Sequence, residues 1–184
     1  MSTLPKQRMT VDEFLVWAEG RPGRYELEAG EVIAMSPERA RHAEGKFECQ
    51  TALRSAIRRA GLPCFMMPDG MTVRIADDVA YEPDALVYCG ERLQGDRLEV
   101  PNPVIIVEVV SPSTGSVDKG KKLSGYFSLA SVRHYLLVDP DKRLITHHAR
   151  ASSDLIETRI LSSGPLRLDP PGLHLSVEEM FPEA

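Results

Sequence analysis

"PVIIVEVVSPST", residues 103–114, reads as a buried strand with one carboxylate, Glu108, set inside its β-branched run. Burying an unpaired carboxylate costs several kcal/mol, so something must hold Glu108 where valine or isoleucine would sit more comfortably. Upstream, "YEPDALVYC" (81–89) places Asp84 after a proline at the head of a second apolar strand. The interval from Asp84 to Glu108 accommodates one strand, a loop and the next strand. Neighbouring strands lie about 4.8 Å apart, so the two acids, facing one way, could share a divalent cation. Mg²⁺ is the hard, oxygen-liking ion that such a pair suits. The plainer readings are that Glu108 pairs with a base such as Arg74 or ends its strand in water, and that Asp84 is a turn residue. Two acids on two apolar strands nevertheless repel each other unless a positive charge lies between them.

Downstream, "DKGKKLSGYFSLA" carries apolar residues at helical spacing: Leu123, Tyr126, Phe127 and Leu129. Residues four apart share a helix face, so Lys122 lies with Tyr126 beside the apolar face, while Lys119 and Lys121 point into solvent. A lysine aimed at the sheet end could position water and stabilise charge on a phosphate. Removal of Lys122 is therefore expected to abolish that chemistry and leave the fold intact.

The remaining elements follow from pattern. Thr10 and Glu13 have capping-box spacing ahead of a helix ending near Glu19. Tyr25–Glu28 and Glu31–Met35 read as a hairpin around Ala29-Gly30. Ser36-Pro37 opens a long helix with Phe47, Leu53 and Ile57 on its apolar face, stopped by Gly61. "CFMMP" and "MTVRI" are strands, and "HYLLVD" and "RLITHHA" form a hairpin across Pro140-Asp141. The segment after Gly164 is proline-rich and reads as loop, closed by a second capping-box spacing, Ser176 to Glu179, before a short helix. His134, His147 and His148 have no partner spacing and read as structural. This order predicts one α/β (α+β) domain over residues 1–184, a mixed sheet with helices packed on it.

Composition narrows the function classes. The chain has 184 residues, 42% of them hydrophobic, and a formal net charge of −5, so a polyanion would have to be met by local basic residues. Candidates on the long helix are Arg39, Arg41, Lys46, Arg54, Arg58 and Arg59. Cys49, Cys64 and Cys89 are odd in number, widely spaced and without CxxC spacing, which argues against a disulfide framework or a zinc site and for a reducing cytoplasm. No apolar stretch reaches the length of a membrane helix or signal-peptide core.

"PD" followed by an acid on the next strand resembles the PD-(D/E)XK nuclease superfamily, whose restriction-endonuclease-like fold is a mixed central sheet flanked by helices. "YELEAGEV", "SPERARH", "YEPDALV", "IIVEVVSPST", "DKGKKLSGY" and "HYLLVDP", in that order, resemble the bacterial Uma family of restriction-endonuclease-like proteins, also described as a domain of unknown function; the likeness runs from about Met9 to about Arg150. The superfamily lysine two residues after the acid would fall on Val110, and the family resemblance moves it to Lys122. The resemblance implies a metal-dependent nuclease acting on DNA. Asp84, Glu108 and the Val109 carbonyl would hold Mg²⁺ or Mn²⁺, and Lys122 would orient water. Glu26 would complete the acidic cluster, and His42 would contact phosphate or move a proton. A homodimer or higher oligomer is implied, since two sites can address two strands. Two other classes remain open: a non-catalytic DNA-associated or regulatory protein on the same fold, and a hydrolase of smaller phosphate esters, which the acidic net charge would suit.

Overall fold

The computed structural model describes residues 8–110, 116–152 and 155–181, and of residues 116–119 the backbone only. A six-stranded mixed sheet lies at its centre. Its strands are β3 (Cys64–Pro68), β6 (Ala85–Cys89), β7 (Ile105–Val109), β8 (His134–Asp139), β9 (Leu144–Arg150) and β10 (Ile156–Leu161), in the order β10-β9-β8-β7-β6-β3. Every neighbouring pair is antiparallel except β7–β8, which are parallel and joined through helix α3 (Ser116–Ser128). A parallel pair needs such a crossover, and α3 covers one face of the sheet as a result.

Strand alternation builds two cores. Ile105, Val107 and Val109 of β7 face helix α2 (Ala40–Ala60), packing with Cys49, Leu53, Ala56 and Ile57. Ile106 faces α3 and packs with Tyr126, Phe127 and Tyr135. Glu108 shares the Ile106 face, so its carboxylate is directed at α3. Two glycines let the helices approach closely. A Cβ on Gly45 of α2 would come within 3.0 Å of Pro140 and 3.3 Å of Val109, and one on Gly125 of α3 within 2.9 Å of the Tyr81 ring.

A second sheet, of order β2-β1-β5-β4, is built from β1 (Tyr25–Glu28), β2 (Glu31–Ala34), β4 (Val73–Ala76) and β5 (Val79–Tyr81). Helix α1 (Val11–Ala18) packs on it through Val11 and Phe14 against Leu27 and Ala80. The expected capping box is present: Thr10 Oγ1 accepts from the Glu13 N–H, and the Glu13 carboxylate accepts from the Thr10 N–H. Among the described residues no helix is long and apolar enough to cross a membrane.

Four expectations need correction. Helix α2 begins at Ala40 rather than at Pro37, because the Glu38 carboxylate is drawn to Arg24 and Lys46 ahead of the first turn. Phe47 is 64% exposed, since the buried stripe of α2 runs through Lys46, Cys49, Leu53 and Ile57 and leaves Phe47 outside it. The segment after Gly164 is a hairpin, β11 (Pro165–Leu168) and β12 (Leu173–Ser176), whose alternate leucines 166, 168, 173 and 175 close the core under α2. Finally, Cys64 and Cys89 form a disulfide, because antiparallel pairing of β3 and β6 sets them directly opposite each other despite 25 residues of separation. The Ser176–Glu179 cap holds as read, with reciprocal hydrogen bonds ahead of the short 3₁₀ turn Glu178–Met180.

Candidate active site

The register that pairs Ala85 with Val107 and Leu86 with Ile106 brings Asp84 opposite Glu108 at its next step. Asp84 sits just ahead of β6 and is buried; its Oδ2 accepts the Val109 N–H at 2.7 Å, which ties the head of β6 to the end of β7. Glu108 is held from α3: Tyr126 Oη donates to its Oε1 at 2.8 Å, and Lys122 Nζ donates to the same oxygen at 3.1 Å. Lys122, itself buried, also donates to Glu26 Oε1 at 2.8 Å, and that oxygen accepts the Glu82 N–H at 3.0 Å. The partner that allows Glu108 into the sheet is thus Lys122 with Tyr126. Arg74 is engaged elsewhere, with Glu99 and Asp12.

On the α2 side, His42 Nε2 lies 2.9 Å from the Val109 carbonyl oxygen and 3.6 Å from Asp84 Oδ2. A carbonyl only accepts, so this nitrogen carries the proton. His42 Nδ1 is buried without a hydrogen-bond partner among the described residues. Glu38, His42 and Asp84 each offer a ligand atom within 4.8 Å of the others. Lys46, expected on the surface as a phosphate contact, is buried instead; its ammonium pairs with Glu38 and Asp69 and lies 4.0 Å from Asp84 Oδ1. Arg24 completes the network through Glu38, Asp69 and Glu82.

Glu26, His42, Asp84, Glu108 and Lys122, singled out in the sequence, are therefore brought together. Glu38, Asp69, Glu82, Arg24 and Lys46 belong to the same network and were not expected there. His42 and Lys46 are one helical turn apart, a signal that was readable; Asp69 stands in "MPDG", a second Pro-Asp pair. Lys121 is exposed, as expected, and pairs with Glu28 at 3.1 Å, whereas the Lys119 side chain lies outside the described residues.

Six carboxylates, those of Glu26, Glu38, Asp69, Glu82, Asp84 and Glu108, share three permanent cations, Arg24, Lys46 and Lys122. The electrostatics follow from that imbalance. Burial pushes Asp84 up to about 6, although the Val109 N–H favours its anion. Burial, together with Asp84 and Glu26, pushes Glu108 up to about 7, against the pull of Lys122. Burial opposes the Lys122 ammonium, but Glu108 and Glu26 outweigh it and raise its pKa. Among the described residues these cations leave negative charge over, which a divalent ion would neutralise.

A model of the Uma2 family, described as "Putative restriction endonuclease", matches residues 11–180. The chain belongs to the Uma2 family. Two relatives of this Uma2 chain come from Synechocystis sp. (strain ATCC 27184 / PCC 6803 / Kazusa). The uncharacterized protein slr1290 is 25% identical over 179 residues, covering 96% of this chain and 93% of its own. The uncharacterized protein sll1609 is 28% identical over 145 residues, covering 77% and 81%. The crystal structure of a putative nuclease belonging to DUF820 from Anabaena variabilis ATCC 29413 superposes with a TM-score of 0.73 at 18% identity, covering 94% of this chain and 97% of that one. The restriction-endonuclease-like fold expected from the sequence is thus the fold observed.

The late histidines are structural, as read. His134 Nε2 donates to the Pro170 carbonyl at 3.0 Å, its Nδ1 lies 2.9 Å from His147 Nε2, and His148 Nδ1 lies 2.8 Å from Thr158 Oγ1. Burial lowers the pKa of all three, that of His147 to about 4. An unfolded histidine titrates near 6.5, so below that pH these histidines bind more protons in the unfolded chain and their contribution to stability falls as pH drops toward 4. His147 alone accounts for on the order of 3 kcal/mol of that loss. His147→Gln should flatten the acid limb of stability, read from urea unfolding at a series of pH values. An acid limb of unchanged steepness would count against this assignment. The raised carboxylates of the site act with the opposite sign in both chains and cancel in the comparison.

Proposed function

We propose that this Uma2 chain is a single-domain, metal-dependent endonuclease that hydrolyses phosphodiester bonds in DNA. The observation that carries the reading is the excess of buried carboxylate over cation around Asp84 and Glu108, next to a buried lysine. Asp84, Glu108 and the Val109 carbonyl would hold Mg²⁺ or Mn²⁺; the carbonyl keeps a second lone pair beside the one that His42 occupies. Glu38 and His42 border the same pocket of charge. When bound, the ion supplies Lewis-acid polarisation of the phosphoryl group and neutralises developing charge. Lys122 has three N–H donors and gives two of them to Glu26 and Glu108, so the third can hold the attacking water or a phosphate oxygen. Glu26 fixes the lysine, and His42, whose Nε2–H is given to the Val109 carbonyl, would move a proton through Nδ1, which has no hydrogen-bond partner among the described residues. Exposed Arg39, just ahead of α2, and Arg54 and Arg58 on it are the remaining candidates for backbone contacts, since Lys46 is buried and Arg41 and Arg59 pair with Asp141 and Glu179.

The metal is tested apart from catalysis. Mg²⁺ or Mn²⁺ should raise the melting temperature of the native chain, by the equivalent of about 2.7 kcal/mol at a hundredfold excess over Kd. Asp84→Asn should remove the shift. Absence of a shift in the native chain, both alone and with DNA, would refute a shared site. Activity is tested with Mg²⁺ or Mn²⁺ on plasmid, single-stranded DNA, RNA and small phosphodiesters. Turnover of only the small esters would favour the phosphate-ester reading, which the acidic net charge suits, and no turnover on any substrate would leave the non-catalytic one. The reading keeps a cytoplasmic setting, although the Cys64–Cys89 disulfide removes the cysteine argument for it; the oxidation state of the two cysteines in freshly lysed cells reports on that setting.

A further inference from the structure

Strand β10 is one edge of the central sheet, unpaired on its outer side among the described residues, and Ile156 through Ile160 are all exposed, Ile160 at 70%. Apart from the β9 ladder, none of the backbone hydrogen bonds among the described residues involves residues 156–160. The direction of its backbone groups is fixed by two neighbours. The Ala151 N–H donates to the Leu155 carbonyl, so odd-numbered residues turn their peptide groups toward β9. The Arg150 N–H donates to Arg133 on the far side of β9, so Ile156, opposite Arg150, turns its groups outward. Ile156, Thr158 and Ile160 therefore present a row of N–H and C=O groups to solvent. Such an edge is an association surface unless it is blocked by proline, a bulge or a covering element.

The side chains specify what fits it. Residues 155–161 read Leu-Ile-Glu-Thr-Arg-Ile-Leu, symmetric about Thr158 except that Glu157 is mirrored by Arg159. A second copy laid antiparallel with Thr158 opposite Thr158 sets each Glu157 against the other copy's Arg159 and each Ile156 against the other copy's Ile160. Directly opposed residues of opposite charge stabilise a strand pair, and like charges destabilise it. A shift of the centre to residue 157 or 159 would oppose Glu with Glu or Arg with Arg. The centre at Thr158 is also the one at which outward-facing residues 156, 158 and 160 meet one another and exchange both hydrogen bonds.

We propose that β10 pairs with β10 of a second copy of this chain in antiparallel register centred on Thr158, making one continuous twelve-stranded sheet across a two-fold dimer. Because the contact is isologous it closes on itself, so an exposed apolar edge yields a finite dimer rather than a fibre. One strand pair is a small interface beside the roughly 800 Å² per partner of a stable complex, so the dimer depends on concentration. The proposal is independent of the nuclease reading.

Charge reversal tests it. Sedimentation velocity over a dilution series should show the native chain passing from monomer to dimer. Arg159→Glu and Glu157→Arg should each weaken self-association by about tenfold or more, since both cross-strand pairs turn repulsive. The Glu157–Arg159 pair within one strand is exposed, so losing it leaves the fold in place, checked by circular dichroism. Mixed in equal amounts, the two variants should form heterodimers, because each then opposes Glu with Arg at both positions. A native chain monomeric at every concentration, dimers indifferent to either reversal, or a mixture that stays monomeric would each overturn the proposal.

Discussion

Lys122→Ala is expected to destabilise the fold at about pH 8 by roughly 3–5 kcal/mol, the cost of leaving buried charge without its partner. The substitution removes the only cation hydrogen-bonded to Glu108 among the described residues, and one that also holds Glu26. Both acids are largely buried, with side chains 14% and 11% exposed. Glu108 already resists ionisation, its pKa raised to about 7 by burial even with Lys122 present. Without the lysine it moves further up, so at about pH 5 the acid is neutral and most of the loss should disappear. Urea unfolding of both chains at the two pH values measures this directly. A penalty below about 1 kcal/mol, or one equal at both pH values, would show that the lysine is not what holds the acids. The expectation that Lys122→Ala leaves the fold intact is thus replaced: the lysine is a structural counter-charge as well as a candidate catalytic group. Lys122→Arg, which retains the charge but not the compact ammonium, is the variant in which loss of cleavage can be read apart from loss of fold.

The parts of the site that were legible in the sequence share one property. Glu108, Asp84 and Lys122 each interrupt an apolar pattern whose period fixes where the side chain points, and Tyr126 follows Lys122 by one helical turn. Glu38, Asp69, Glu82 and Arg24 interrupt nothing. They lie in connections or at strand ends among other polar residues, and become partly buried only where α2, β1 and the head of β6 converge. The same distinction separates the fold elements. The β8–β9 hairpin was readable because it is short-range, while the Cys64–Cys89 contact depends on which strand β3 chooses as neighbour. The hairpin after Gly164 carried its alternation openly in "PLRL" and "LHLS", but the prolines and charged residues around it favoured a loop reading. Phe47 was misplaced because a helix-period pattern admits a neighbouring stripe, and only the sheet decides which stripe is buried.

Glu108→Gln should separate activity from stability in the opposite direction. The amide oxygen still accepts from Tyr126 and Lys122, so neither donor is orphaned, while the repulsion of Glu108 by Asp84 and Glu26 disappears. The sign follows from linkage. A carboxylate whose pKa is raised on folding from near 4.5 to about 7 binds more protons folded than unfolded, so its contribution to stability is full below the lower value and is lost as pH rises through the upper one. The variant escapes that loss. At about pH 8 it should match or exceed the native chain, by on the order of 1–3 kcal/mol, and at about pH 5 the two should converge. Against this stands the weakening of the Lys122 pair, but Lys122 keeps Glu26, and the network as a whole has more acids than bases to match them. Cleavage of plasmid with Mg²⁺ should meanwhile fall by about a hundredfold or more, and the Mg²⁺ shift in melting temperature should vanish, because an amide is a poor ligand for a hard cation and carries no charge to offset it. A variant that is less stable than the native chain at about pH 8 would mean that Glu108 serves the fold through its charge. A variant that keeps both cleavage and the Mg²⁺ shift would move the metal away from β7, toward Glu38, His42 and Asp84, where three ligand atoms already lie within 4.8 Å of one another.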